Sequence, residues 1–330
     1  MDDIIISTAP RKWDGEQVTK TMEDTKNVVR SRLLHRHKSH RKLKEFLCCA
    51  PALVLIVILN YYPLAELFRY SFTDWNMLRT DYQYVGLTNW EWFFQNAAGN
   101  RFFQSLGITF CYAAGSMAVT IVGGVLLALL FNRMNKLFSF MRAAVFLPKY
   151  VAMSTSAMIF LFLMNENFGV INYMLGQLGL EKVKWLTDGK IALLSLIILT
   201  AWHTVGYAMM IYLSSMQGIS KEYYESASME GASKWQQFRY ITVPLVAPTT
   251  LFLFVTQFIT AMKVYQSVDV LTGGGPYYST EVIVYLIYNL AFVDYRMDRA
   301  AVVSTVFFLM VFGLTILTLK WSNRTVNYDV

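Results

Sequence analysis

Six apolar blocks, each close to the length that crosses a bilayer, limit what this chain can fold into more than any other feature of its sequence. They cover about residues 46–68, 106–131, 143–164, 191–213, 245–264 and 300–319. A helix rises about 1.5 Å per residue, so roughly 20 apolar residues cross the hydrocarbon core. In lipid every backbone N–H and C=O must be paired within its own segment or by protein. Blocks this long, without period-2 alternation, meet that demand as helices and not as barrel strands. The expected fold is therefore all-α, a polytopic membrane protein with six transmembrane helices over residues 46–320. A basic tail precedes it at 1–45 and a short tail follows at 321–330. With 55% hydrophobic and only 15% charged residues, the chain carries more apolar surface than one soluble globule hides.

Orientation follows from the basic residues. Arg30, Arg32, Arg36, Lys38, Arg41, Lys42 and Lys44 stand just before the first block, which predicts a cytoplasmic N-terminus, and six spans return the C-terminus to the same side. Those basic residues suit anionic headgroups and not nucleic acid. No small-residue cleavage pattern accompanies the first block, so it is expected to remain as an anchor. Cys48, Cys49 and Cys111 lie at or within apolar blocks, and none has a histidine at metal-ligand spacing. Neither a metal nor a structural disulfide is expected.

The most patterned polar stretch is the loop between the fourth and fifth blocks, residues 218–244, which reads as helix, turn, helix. Ser220 suits an N-cap, and Glu222 in the opening turn complements the helix dipole. Ala227 and Gly231 are spaced to share one side of that helix, where small residues would let another surface approach. Tyr223, Tyr224 and Met229 offer bulk to fill a groove, and Glu225 and Glu230 offer charge to a basic partner.

That loop resembles one found in a known family. Glu225-Ser226-Ala227, three residues, Gly231, and then Ile241-x-Val243-Pro244 is similar to the cytoplasmic coupling loop of the membrane subunits of ABC importers. Tyr62-Pro63, Gly86-Leu-Thr-Asn-Trp90, Trp185-Leu186, Trp202 with Gly206, and Leu271-Thr-Gly-Gly-Gly-Pro276 resemble the carbohydrate branch, typified by maltose, glycerol-3-phosphate and multiple-sugar permeases. Ser226, Ser220, Glu230 and Val243 depart from the usual residues but keep size or charge.

The resemblance implies a type I ABC importer permease in a bacterial cytoplasmic membrane, forming half of a sugar pore. It further implies a second, related permease, two ATPase subunits and an external sugar-binding protein as partners. The loop helix, with Tyr224, Glu225, Ser226, Ala227, Met229, Glu230, Gly231 and Pro244, would dock on an ATPase subunit. ATP and magnesium would belong to those partners, because this chain has no Gly-x-x-x-x-Gly-Lys-[Ser/Thr] loop and is expected to bind no cofactor. The glycine run at 273–275 leads into Pro276 and two tyrosines, which reads as a tight turn and not a phosphate cradle.

Candidate residues for the substrate path are polar or aromatic groups within the apolar blocks. Lys263 would cost about 2.5–3.5 kcal/mol facing lipid near mid-bilayer, so it is expected to face the protein interior or to snorkel. Trp202, His203, Tyr207 and Gln257 complete the set, since rings stack on sugar faces and amides bind hydroxyls. Each also suits helix packing. A self-contained secondary transporter of a small polar solute is the alternative function, although acids within the spans are confined to Glu66 and Asp269 near their ends. An intramembrane enzyme lacks both a nucleophile–base pair and a metal-binding motif.

Overall fold

The computed structural model describes residues 46–95, 97–132 and 135–325. The tail at 1–45 and residues 326–330 lie outside the described residues. The chain divides into two compact units, Met1–Glu66 and Leu67–Val330. Among the described residues there is no strand, only an isolated antiparallel bridge between Thr73 and Tyr84.

Helix α1, Phe46–Tyr70, is the first apolar span. It widens into a π turn at Val57–Tyr61 directly before Pro63, with the Tyr62 N–H reaching back to the Val57 carbonyl. A proline has no N–H to continue the ladder and crowds the preceding turn, which the wider turn accommodates.

In the second unit, α2 is Thr88–Gln95 and α3 is Ala97–Phe131. The next element, α4, covers Lys136–Tyr150, followed by α5 at Met153–Leu163 and α6 at Val170–Gln177. Then come α7 at Gly189–Gln217, α8 at Lys221–Met229, α9 at Lys234–Leu245 and α10 at Ala247–Met262. Short α11, Gln266–Leu271, precedes α12 at Ile283–Val293 and α13 at Met297–Thr325.

Four of these helices are long and apolar enough to cross a membrane, and two bent pairs bring the number of candidate spans to six. The third block, expected as a single span, is broken within its length, whereas the fifth is one helix that the preceding loop helix enters at an angle. α4 and α5 meet at 101°, and α9 and α10 at 60°. Pro148 stands just before the first break, while Pro244 and Pro248 flank the second, each removing a backbone donor from the ladder. The last helix also runs to Thr325, past the expected end at 320. α12 is an apolar helix of 11 residues between the fifth and sixth blocks.

The pairing of α3 with α7 organises this unit. Tyr112 Oη lies 2.7 Å from Thr200 Oγ1, and Thr120 Oγ1 lies 2.8 Å from Thr204 Oγ1. Residue numbers rise together along both helices, so the two run in the same direction. A Cβ on Gly124 would sit 2.7 Å from that of Ala208. Glycine at the contact and hydroxyl pairs across it are how helices associate where water gives no hydrophobic drive. Gly206 does the same for α4, because a Cβ there would collide with the Val145 carbonyl oxygen.

Candidate functional site

The polar hairpin of α8 and α9 is built from local signals. Ser220 Oγ accepts from the Glu222 N–H at 3.3 Å, capping α8 as expected. At its other end the Ala232 N–H bonds to the Ala227 carbonyl (2.9 Å) and the Gly231 N–H to the Ser228 carbonyl (3.1 Å). These are the paired bonds of a Schellman ending, which requires a left-handed residue after the cap. Gly231 supplies it, with φ +83°.

This corrects the reading of the Ala227–Gly231 spacing. α8 ends at Met229, so Gly231 lies beyond the helix and shares no face with Ala227. Nothing lies within 4 Å of a Cβ placed on Gly231. The glycine is needed for its backbone and not for close approach.

Two residues further on, Ser233 and Gln236 form a capping box that starts α9, with the Gln236 N–H bonded to Ser233 Oγ and the Ser233 N–H to Gln236 Oε1. Buried Gln237 ties the two helices together by donating to Ser228 Oγ (2.8 Å) and to the Ala232 carbonyl (3.3 Å). Tyr224 Oη meets Thr242 Oγ1 at 2.9 Å. Of the expected coupling residues Glu225, Ser226, Met229, Glu230, Gly231 and Pro244 are exposed, as are Tyr223, Trp235 and Tyr240 and the basic Lys221, Lys234 and Arg239, while Tyr224 and Ala227 are half-buried. Met229 is 89% exposed, although an apolar side chain gains nothing from water.

A second feature is a cavity of about 410 Å³ beside the middle of α3 and α7, where α4 gives way to α5 and where α10 ends. Tyr112 and Ser116 border it from α3, and Thr200, His203 and Thr204 from α7. Lys149 enters from the α4–α5 break, while Gln257 and Lys263 reach it from the end of α10. Irregular backbone at membrane depth is tolerated where it lines such a cavity and its polar groups find partners. Here the Val151 N–H bonds to the Pro148 carbonyl, and His203 Nε2 lies 3.0 Å from the Val151 carbonyl oxygen.

Three of the five candidate path residues, His203, Gln257 and Lys263, therefore meet at one cavity. Tyr207 does not border it but carries the Lys149 ammonium 5.4 Å from its ring centroid. Trp202 lies elsewhere, on an exposed side of α7 with its ring 5.3 Å from that of Phe160. Lys149 was not among the candidates, although a lysine inside an apolar block and next to a proline was the signal available.

The chain's relatives agree with this architecture. The pattern of the family described as "Binding-protein-dependent transport system inner membrane component" matches residues 120–321. The chain belongs to that family. It is 32% identical over 287 residues to the probable ABC transporter permease protein YurN of Bacillus subtilis, covering 86% of this chain and 97% of that protein. It is 29% identical to the sn-glycerol-3-phosphate transport system permease protein UgpA of Agrobacterium fabrum, over 87% of this chain and 97% of the relative. Among solved structures, a chain of a bacterial ABC transporter involved in the import of the acidic polysaccharide alginate superposes with a TM-score of 0.77 at 23% identity. That match covers 90% of this permease and all of the other chain, and it places this permease in the same fold.

Proposed function

We propose that this permease forms half of the pore of an ATP-driven importer for a sugar or related polyol, with the α8–α9 hairpin as its coupling element. The observation that carries the reading is the hairpin itself. It is capped at both helix junctions and tied internally, yet it presents Met229, Trp235, Glu225 and Glu230 to solvent. A rigid element with an uncovered apolar residue and acids beside it suits docking into a groove with basic edges. An ATPase subunit is the partner in this reading, and ATP hydrolysis belongs to that partner.

A carbohydrate cargo is supported by the names of the glycerol-3-phosphate relatives and of the alginate importer. The alginate importer has also been solved with a pentasaccharide-bound periplasmic protein, which supports an external binding protein as a further partner. A second, homologous permease would complete the pore. In this arrangement both termini and the hairpin face the cytoplasm, while the turn at 273–276 faces outward.

The test is Glu225→Lys, which reverses a charge outside the lipid. Normal levels of the chain in the membrane are expected, with sugar uptake lost and ATPase no longer captured with the tagged permease. Wild-type uptake and capture in that variant would make the hairpin a passive connector.

A further inference from the structure

The cavity has a charge pattern that the general reading of a sugar pore does not require. Two of its bordering residues are lysines, Lys149 and Lys263, and none is an aspartate or glutamate. Among the described residues no carboxylate forms an ion pair with either. Lys149 has only the Tyr207 ring as a charge partner, and Lys263 sits exposed at the end of α10, where the helix stops. The nearest acid along the chain, Asp269 on α11, does not border the cavity and acts on the Tyr265 hydroxyl.

Two lysines bordering one site with no acid on its border give that site a positive potential. An anion entering the site is drawn by both, and more strongly than in bulk water where the cavity walls exclude solvent. The remaining groups suit a polyhydroxylated body. Gln257, Ser116 and Thr204 offer donors and acceptors, and Tyr265 adds a ring, in a volume typical of small-molecule sites, which run from about 300 to 1,000 Å³.

Building on the reading of this chain as half of a carbohydrate pore, we propose that the cavity receives an anionic carbohydrate, one bearing a carboxylate or a phosphate, whose charge is met by Lys149 and Lys263. A neutral sugar would satisfy the hydroxyl-binding groups and leave both ammonium groups uncompensated. Selection would then occur in the membrane as well as in the external binding protein.

The experiment uses the complex purified from native membranes through a tag on this chain and washed free of binding protein. Saturation-transfer NMR, which detects weak and transient binding, compares galacturonate, glucose 6-phosphate and glucose. A signal from at least one of the two anions is expected, well above that from glucose. Lys149→Gln combined with Lys263→Gln should weaken anion binding about tenfold, the scale of one lost charge-assisted contact. Glucose should be unaffected, and the doubly arginine-substituted complex should keep its preference for anions.

The ratio between the two anions separates phosphate from carboxylate recognition. Equal signals from glucose and both anions, no signal from either anion, or an anion preference that survives the double glutamine substitution would overturn the proposal. Co-purified ATPase is measured in the same samples. Its absence from the wild type would break the importer reading and not the cavity assignment, because the NMR signal does not depend on coupling.

Discussion

The end of the bundle holding Glu281 and Asp298 is fastened across long stretches of chain, chiefly by the Arg101–Glu281 ion pair, whereas the α8–α9 hairpin is fastened by neutral bonds among near neighbours. At the first, the Arg101 Nε and Nη2 groups donate to the two oxygens of Glu281 at 2.8 and 2.6 Å, across 180 residues of sequence. Ser105 adds a third donor to Glu281, and the Ile283 N–H bonds to Thr109 Oγ1. Buried Asp298 takes both oxygens to Arg296, while its N–H reaches the Trp75 carbonyl. Arg299 lies 4.4 Å from the centre of the Trp92 ring. In the hairpin, the Tyr224–Thr242 and Gln237–Ser228 bonds span only 18 and 9 residues. The contrast teaches that one end locks separate helices to one another, while the other builds a piece that holds its own shape.

Breaking the charged end should have the largest effect. Glu281 is 1% exposed and Arg101 35%, so Arg101→Ala strands a buried carboxylate and should cost about 3 kcal/mol, the low end for a broken buried pair. The measurement is a thermal unfolding midpoint of the solubilised complex, and Arg101→Lys should recover part of the loss. An unchanged midpoint would remove the distinction between the two ends.

The hairpin should respond less in stability and more in coupling. Gly231→Ala forces a side chain into left-handed backbone at a cost of about 1–2 kcal/mol, whereas Gly231→Asn should be milder because asparagine tolerates that region. The expected result is weaker ATPase capture for alanine than for asparagine, with the midpoint of the whole complex little changed. Equal capture would show that the left-handed corner is unimportant. The smallest effect is expected from Tyr224→Phe, which removes one hydrogen bond worth about 0.5–1.5 kcal/mol. Protease nicking between residues 218 and 233 should rise modestly while uptake persists, and a collapse of uptake would mean that this bond transmits force by itself.

The same contrast governs what could be read from the sequence. The hairpin was legible because its boundaries are written in adjacent residues, with Ser220 capping one helix and Gly231 closing it. Even so, the reason for Gly231 was misread, since spacing cannot reveal where α8 ends. The six apolar blocks were equally plain, but the break within the third and the bend at the start of the fifth depend on how Pro148, Pro244 and Pro248 are accommodated in three dimensions. Trp202 and His203 are neighbours in sequence, yet one turns away from the cavity and the other toward it, because successive residues on a helix point about 100° apart. Neither Glu281 nor Asp298 stands out in the sequence as a site of charge pairing. Arg296 stands two residues from Asp298, but Arg101 and the Trp75 carbonyl become visible as partners only once the chain is folded.

The corner of the hairpin sets how a displacement would travel. The Schellman ending of α8 is followed almost at once by the capping box of α9, and Gln237 bridges the two helices. No slack backbone remains between Met229 and Lys234 to absorb a push on the exposed tip. The next irregular points are a π turn at Phe238–Thr242 within α9 and buried Val246, where α9 turns by 60° into α10. If the hairpin couples as proposed, it would act as a bell crank, passing a sideways movement at Met229 through these two points to the helix that carries Gln257 to the cavity and ends at Lys263.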